Sequence, residues 1–395
     1  MSAANFITML ALARGLSAAA FGAFTLCYTA LLFAGSLQFS LITRPHNVIG
    51  ATRTGAAYTR YASAIAAGQA AFALMAGLAA AAAALVATAS GAVVAPGLLL
   101  ALAPAIVAWQ AQEFVRRVLY TEGRLAAATL NDLISYGGQV AAVVALAALG
   151  RLTAPAALYA LALTSAAAAL VGAWQVRRSV ALSLRWEDWR ANLSFGSWLA
   201  GATVGDWFAT QFATVVAAAA LGTQAAGAMK ACQLLLGPLN VVLSFLDSVL
   251  PPRLARAWAR GGGAALGGQV RRSYLLSAPV VLGYCLLAAL LAGPALRLLY
   301  GATYAGATTL AALFALYYAV SYLPRIVSAA LQARGHSRPV FLGYVTGGLT
   351  AAILTYPAVW LAGANGAVLG MTAAVAAIFA VLVRQERRAR AGAVN

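Results

Sequence analysis

Acidic residues are almost missing from this 395-residue chain, which has 8 Asp and Glu against 26 Lys and Arg. Charge of either sign is scarce, at 9% of residues. A soluble globular chain carries about a quarter charged residues, so that class is excluded. The polar stretches 44–60, 177–190 and 251–272 are too short to bury a core of their own, and no soluble domain is expected. Only three cysteines occur, Cys27, Cys232 and Cys285, all inside apolar runs. They are read as small core residues, with neither disulfide nor metal roles. His46 and His336 are isolated loop residues in this reading. No Cys or carboxylate stands near either at ligand spacing, so no metal or other cofactor is expected.

What is abundant is apolar: 63% of residues are hydrophobic and the mean hydropathy is +0.85. The chain is therefore an all-α integral membrane protein, because open sheets cannot satisfy their backbone in lipid. Apolar runs predict helices at about 3–13, 17–42, 61–88, 93–120, 124–149, 155–177, 193–221, 223–250, 273–300, 308–332, 338–362 and 366–384, twelve in all. The first is short for a bilayer core of ~30 Å, and the expectation is a start upstream or a clipped first helix. A signal peptide is not indicated, for want of a basic start and a small-residue cleavage site.

The net charge of +18 and pI of about 10.6 come from arginine. Nucleic acid is not an expected partner, because no basic run is interleaved with aromatics as a binding groove requires. The arginines alternate by loop instead. Arg44, Arg53 and Arg60 follow helix two, and the charged knot "QEFVRRVLYTEGR" (Gln112–Arg124) closes helix four. Arg177, Arg178, Arg185 and Arg190 follow helix six. Arg253, Arg256, Arg260, Arg271 and Arg272 follow helix eight; Arg334 and Arg338 follow helix ten; Arg384, Arg387, Arg388 and Arg390 close the chain. The other side has Arg14, Arg151 and Arg297. Positive loops stay inside, so both termini are expected in the cytoplasm. Within the knot, Glu113 is expected to pair with Arg117 at i,i+4.

Two internal similarities point to a repeat. "RGLSAAAFGAF" (Arg14–Phe24) reads like "ALGTQAAGAM" (Ala220–Met229), and "VLYTEGR" (Val118–Arg124) like "ALQARGH" (Ala330–His336), with Leu119 on Leu331 and Gly123 on Gly335. The helices that follow the first pair are expected to end at Pro45 and at Pro251–Pro252. Two parallel six-helix lobes follow: 1–176, a linker 177–192, then 193–384 with a basic tail 385–395. Parallel repeats are a transporter architecture with the site at their interface.

"EFVRRVLYTEGRLAAATLNDLISYG", "LYGATYAGA" and "LGTQAAGAMKACQLLLGPLNVVLSFLDSVLPPRLAR" resemble the corresponding segments of bacterial polysaccharide flippases. These belong to the multidrug/oligosaccharidyl-lipid/polysaccharide exporter superfamily. The resemblance spans nearly the whole chain as a pattern. It implies two six-helix lobes, a central cavity and alternating access. It also implies undecaprenyl-diphosphate-linked oligosaccharide as substrate, moved to the periplasmic leaflet of the inner membrane. A polymerase and glycosyltransferases of the same pathway are the implied partners.

Intramembrane polar groups are expensive and should face protein or water. They fall in helical stripes: Thr25, Thr29, Ser36, Ser40 and Thr43; Thr129, Asp132, Tyr136 and Gln139; Thr203, Asp206, Thr210 and Thr214; Lys230, Gln233, Asn240, Ser244 and Asp247; Tyr318, Ser321, Arg325, Ser328 and Gln332. Ser and Thr can serve as helix-helix glue, whereas the ionisable members favour a cavity. Lys230 and Arg325 are the candidate cations for an anionic diphosphate, with Gln233, Asn240 and Tyr318 beside them and Arg116 at the cytoplasmic mouth. Lys230 can equally be a snorkelling or salt-bridged lysine. Asp206 is expected either to pair with Lys230 or to carry a coupling proton or sodium ion. Pro104, Pro238 and Pro324 are expected to kink their helices.

The rival readings are a cation-coupled drug exporter, expected to have an acidic cavity, and a peptidoglycan-precursor flippase, expected to have two further helices. A membrane glycosyltransferase or polymerase would need a long outer loop or paired acid-base residues. Glu187–Asp188 is the only adjacent acidic pair, so no enzymatic activity is expected.

Overall fold

The computed structural model describes residues 2–90, 94–180 and 186–390, and every regular element among them is a helix. Arg185 and the last five residues of the basic tail lie outside the described residues. In chain order the helices are α1 (Ser2–Gly15), α2 (Ala18–Gln38), α3 (Arg44–Gly50), α4 (Gly55–Ser90), α5 (Pro96–Thr121), α6 (Leu125–Asp132), α7 (Gly138–Ala148) and α8 (Ala154–Val176). They continue with α9 (Trp186–Thr210), α10 (Phe212–Leu221), α11 (Thr223–Leu235), α12 (Gly237–Leu290), α13 (Ala292–Tyr300), α14 (Thr308–Ala333) and α15 (Ser337–Arg390). Ser17 and Thr153 cap α2 and α8, their hydroxyls accepting the Ala20 and Ala156 amides at 3.2 Å, as capping residues do. Eight spans of the described residues are long and apolar enough to cross a membrane, nine if α9 and α10, bent by 43°, count as one. The protein is a multi-pass membrane protein.

α12 and α15, at 54 residues each, are well over twice the ~20 residues that a bilayer needs. Both are hairpins. In α12 the backbone leaves helical values at Gly261 and Gly262, in α15 at Ala362 and Gly363, and the second residue of each pair is a glycine at positive φ (54° and 58°). That region is cheap only for glycine. Tyr284 donates its hydroxyl to the Leu235 carbonyl at 2.9 Å, although 49 residues of unbroken helix would separate them by ~74 Å. The arms of α15 meet at Gly343 against Leu382, Gly347 against Ile378, and Gly370 against Thr355.

These contacts yield a graded prediction. A Cβ on Gly366 would stand 1.7 Å from the backbone oxygen of Ala358, whereas one on Gly347 meets the movable side chain of Ile378. Gly366→Ala is expected to lose about 1–3 kcal/mol, and Gly347→Ala less, read as melting temperature in detergent. Equal effects would mean that the arms separate freely.

The chain forms two compact units, Met1–Val204 and Gly205–Asn395. In the first, α5 packs against α4 and α8; in the second, α14 packs against α12 and α15. Their cores centre on Tyr61, Phe114, Val118 and Leu119, and on Val327, Leu331, Ile378 and Leu382. The two central helices match: α5 and α14 have 26 residues each and begin 212 positions apart. They also end in the same turn. Arg124 N–H reaches back to the Leu119 carbonyl at 2.8 Å and His336 N–H to Leu331 at 2.9 Å, across Gly123 and Gly335 at φ 71° and 83°, which is the six-to-one bond of a Schellman cap.

Several local expectations need correction. The helices do not end at Pro45 or at Pro251–Pro252. α3 carries Pro45 in its first turn, and α12 runs through the proline pair. A π-helical turn, Phe39–Thr43, precedes α3. Pro45 has no N–H for the carbonyls one turn back. Asn192 supplies the missing donor, its Nδ2 reaching the Leu41 carbonyl at 2.7 Å while its Oδ1 accepts the Tyr61 hydroxyl at 2.7 Å. Close approach of α9 here depends on Gly196, where a Cβ would meet the backbone of Ser40 and Leu41 at 2.8–3.0 Å. Pro238 opens α12 instead of kinking a helix. His46 is no loop residue: it is buried in α3 and stacked on Tyr61 at 5.8 Å.

Candidate functional site

Each unit holds an arginine clustered with carboxylates and tyrosines. In the second unit α14 supplies Tyr317, Tyr318 and Arg325, and the first arm of α12 supplies Asn240 and Asp247. Asn240 Nδ2 donates to the Tyr318 hydroxyl at 3.3 Å, and the Arg325 guanidinium is ion-paired with Asp247. Both contacts join residues 78 apart, so the two helices run parallel with rungs spaced two turns, ~10 Å. Asp206 of α9 and Tyr344 of α15 complete the cluster, both within electrostatic reach of Arg325 and Asp247. Asp206, Asn240 and Asp247 are solvent-accessible, and protein crowds around Asp206. Accessible carboxylates on membrane-spanning helices face water or protein, because lipid does not tolerate them.

Arg325, named above as a candidate cation, is ion-paired in this structure. Asp247 holds it directly and Asp206 stands close by, which makes two acids to one base. The Arg325 Nε is buried and has no hydrogen-bond partner among the described residues, while its side chain as a whole remains about one third exposed (32%).

Lys230, the chain's one lysine, stands on α11 with Gln233 one turn further on. Both are part-buried. A break at Leu236 (φ −91°, ψ 6°) separates α11 from α12, so Lys230, Gln233 and Asn240 do not share one continuous helix as their spacing suggests.

In the first unit Arg116 is also misplaced by sequence reasoning. Only 2% exposed, it pairs with Glu113, three residues earlier on α5, and with Asp132 of α6 at 3.2 Å. Glu113 also accepts the Tyr136 hydroxyl at 3.0 Å. Burial beside two carboxylates commits Arg116 internally, so it cannot collect substrate at a mouth. Glu113 thus pairs with Arg116, not with Arg117, whose guanidinium packs over the rings of Phe39 and Tyr120 at 5.1 and 5.8 Å. That partnership is cation–π.

The hydroxyl stripes largely satisfy themselves. Thr25, Ser36, Thr43, Thr129 and Thr210 each donate to a carbonyl four residues back in the same helical segment. Ser40 and Thr203 are an exception, bonded hydroxyl to hydroxyl at 2.6 Å between α2's π turn and α9. Tyr344, Tyr317 and Asp247 were missed or underweighted as cluster members. Tyr317 stands two turns before Arg325 on α14, whereas Asp247 and Tyr344 come from α12 and α15, pairings between helices that one sequence does not give.

Known proteins share this architecture. A multidrug resistance MATE family transporter of the MOP superfamily, in an inward-facing conformation, aligns over 98% of this chain and 94% of its own with TM-score 0.78 and 16% identity. The lipid II flippase MurJ, inward closed, aligns over 98% and 85% with TM-score 0.75 and 12% identity. A MOP-superfamily transporter from Pyrococcus furiosus, described as having a binding pocket of reverse polarity, aligns over 98% and 92% with TM-score 0.60 and 16% identity. At these identities the likeness is one of fold. A search of curated proteins finds no match. A family model described as polysaccharide biosynthesis protein matches residues 11–309. With three quarters of its length inside that model, this multi-pass chain belongs to the polysaccharide biosynthesis protein family and has the fold of the MOP-superfamily transporters.

Proposed function

We propose that the protein flips undecaprenyl-diphosphate-linked oligosaccharide from the cytoplasmic to the periplasmic leaflet of the bacterial inner membrane by alternating access. The observation that carries this reading is the match of residues 11–309 to a polysaccharide-biosynthesis family on a MOP-superfamily transporter fold. In this scheme the chain crosses the bilayer twelve times with both termini inside, the α12 and α15 hairpins each giving two crossings. The even-numbered loops then keep their arginines in the cytoplasm.

Lys230 and Arg325 contact the diphosphate, with Gln233, Asn240 and Tyr318 binding sugar or phosphate oxygens. Arg325 does so by its outward edge while Asp247 holds the other; a planar fork serves two anions at once. Asp206 is not directly salt-bridged to Arg325, so it is the carboxylate available to carry a coupling proton or sodium ion. A polymerase and glycosyltransferases would work beside the protein.

A deletion strain complemented with wild type, Lys230→Ala or Arg325→Ala tests this. Lipid-linked repeat units trapped on the cytoplasmic face, with rescue by either variant reduced at least tenfold, are expected. Unchanged surface polysaccharide in the deletion strain would sink the flippase reading. A second reading, a cation exporter, is favoured by the two acids around Arg325; altered drug sensitivity in the same strain would select it. For coupling, Asp206→Asn is expected to abolish transport at normal expression. Retained transport at every pH would remove Asp206 from the mechanism.

A further inference from the structure

One end of the second unit collects arginine. Arg253, Arg256 and Arg260 precede the α12 turn, Arg271 and Arg272 follow it, and Arg384, Arg387 and Arg388 lie near the end of α15; all eight are exposed. Arg334 ties the helix ends together, pairing with Glu386 at 3.0 Å and stacking over Trp258 at 5.1 Å. Glu386 is the only acid in the sequence after Asp247. It is buried and turned toward Arg334. Among the described residues no acid pairs with Arg384, Arg387 or Arg388.

A shallow groove on α15 is lined by Phe379, Ala380, Val383, Arg384, Arg387 and Arg388. These residues form two adjacent i,i+4 rows on one helix face. Its floor is apolar at one end, and the arginines begin one turn later, ~6 Å along the axis. A soluble anion has no use for the apolar floor. A hydrocarbon ligand has no use for three guanidinium groups.

We infer that this groove binds an anionic phospholipid, an acyl chain lying on Phe379 and Val383 and the phosphate held among Arg384, Arg387 and Arg388. The commitment to an anionic lipid rests on charge. A zwitterionic head group would bring its own cation against three arginines, whereas an anionic one meets a basic cluster at the membrane surface. Arginine suits the task because its fork holds phosphate oxygens in pairs. The site depends on the membrane reading of the chain and not on what the protein transports.

The test uses the full chain purified in detergent, with phosphatidylglycerol and phosphatidylcholine of identical acyl chains as probes and native mass spectrometry as readout. Wild type is expected to prefer phosphatidylglycerol at least tenfold. Arg384→Gln/Arg387→Gln/Arg388→Gln is expected to remove that preference, while Arg253→Gln/Arg256→Gln/Arg260→Gln keeps it within twofold. Arg387→Gln alone, expected to weaken binding about threefold, stands in if the triple variant does not insert. Equal loss in both triple variants would overturn the site in favour of diffuse charge. Undiminished binding in the α15 variants, full displacement by glycerol phosphate, or binding of a prenyl diphosphate in preference to phosphatidylglycerol would each overturn it as well.

Discussion

Arg116→Met is expected to cost about 3–5 kcal/mol of stability, because it strands Glu113 and Asp132 as charges without their cation inside the first unit. The arginine is 3% exposed at its side chain, Glu113 10% and Asp132 21%, so water can do little to compensate. The physical content lies in the comparison with Glu113→Gln/Arg116→Met/Asp132→Asn. Removing all three charges together removes the desolvation penalty along with the attraction, and this variant is expected to recover most of the loss. Melting temperature and monodisperse yield in detergent read both. If the triple variant melts as low as the single one, the cluster is held by packing and hydrogen bonds, and the Coulombic account fails.

The second large effect belongs to Asn192. Replacing it with Ala leaves two buried groups without partners, the Leu41 carbonyl and the Tyr61 hydroxyl. At about 1–3 kcal/mol for each unsatisfied group, a total of about 2–6 kcal/mol is expected. Pro45→Ala restores a backbone N–H one turn beyond Leu41. Asn192→Ala/Pro45→Ala is therefore expected to be more stable than Asn192→Ala alone, although Pro45→Ala by itself gains little, since Asn192 already fills the gap. Strict additivity in this double-mutant cycle would show that Asn192 is not serving the proline.

Much of the fold was legible because its determinants are one-dimensional. Apolar runs and the arginine alternation locate the helices, and the matched pairs Leu119/Leu331 and Gly123/Gly335 close the same turn in both units. Boundaries failed where a third party repairs the backbone: Pro45 ends no helix because Asn192, 147 positions downstream in the sequence, takes over the lost bond. The charged residues were found, but their partners were not. On α5 the i,i+4 rule favoured Arg117 for Glu113, yet Asp132 and Tyr136 draw Glu113 and Arg116 to the buried side and leave Arg117 to the rings of Phe39 and Tyr120. At Arg325 what the sequence leaves out is the sum. A lone cation in a stripe looks basic until Asp247 and Asp206 arrive from other helices.

The two hairpins also differ in what their tips carry. Residues 339–383, which include the α15 turn, hold no charged side chain, whereas five arginines flank the α12 turn between 253 and 272. During synthesis the α15 hairpin can pass its tip through hydrocarbon as one greasy wedge. The α12 hairpin cannot, because dragging five arginines across would cost roughly 12–17 kcal/mol at about 2.5–3.5 kcal/mol each. The two tips lie at opposite ends of their unit, because Arg334 joins Trp258 beside the α12 turn to Glu386 at the far end of the second arm of α15; under the proposed topology, charge keeps the α12 tip inside and lets the α15 tip cross.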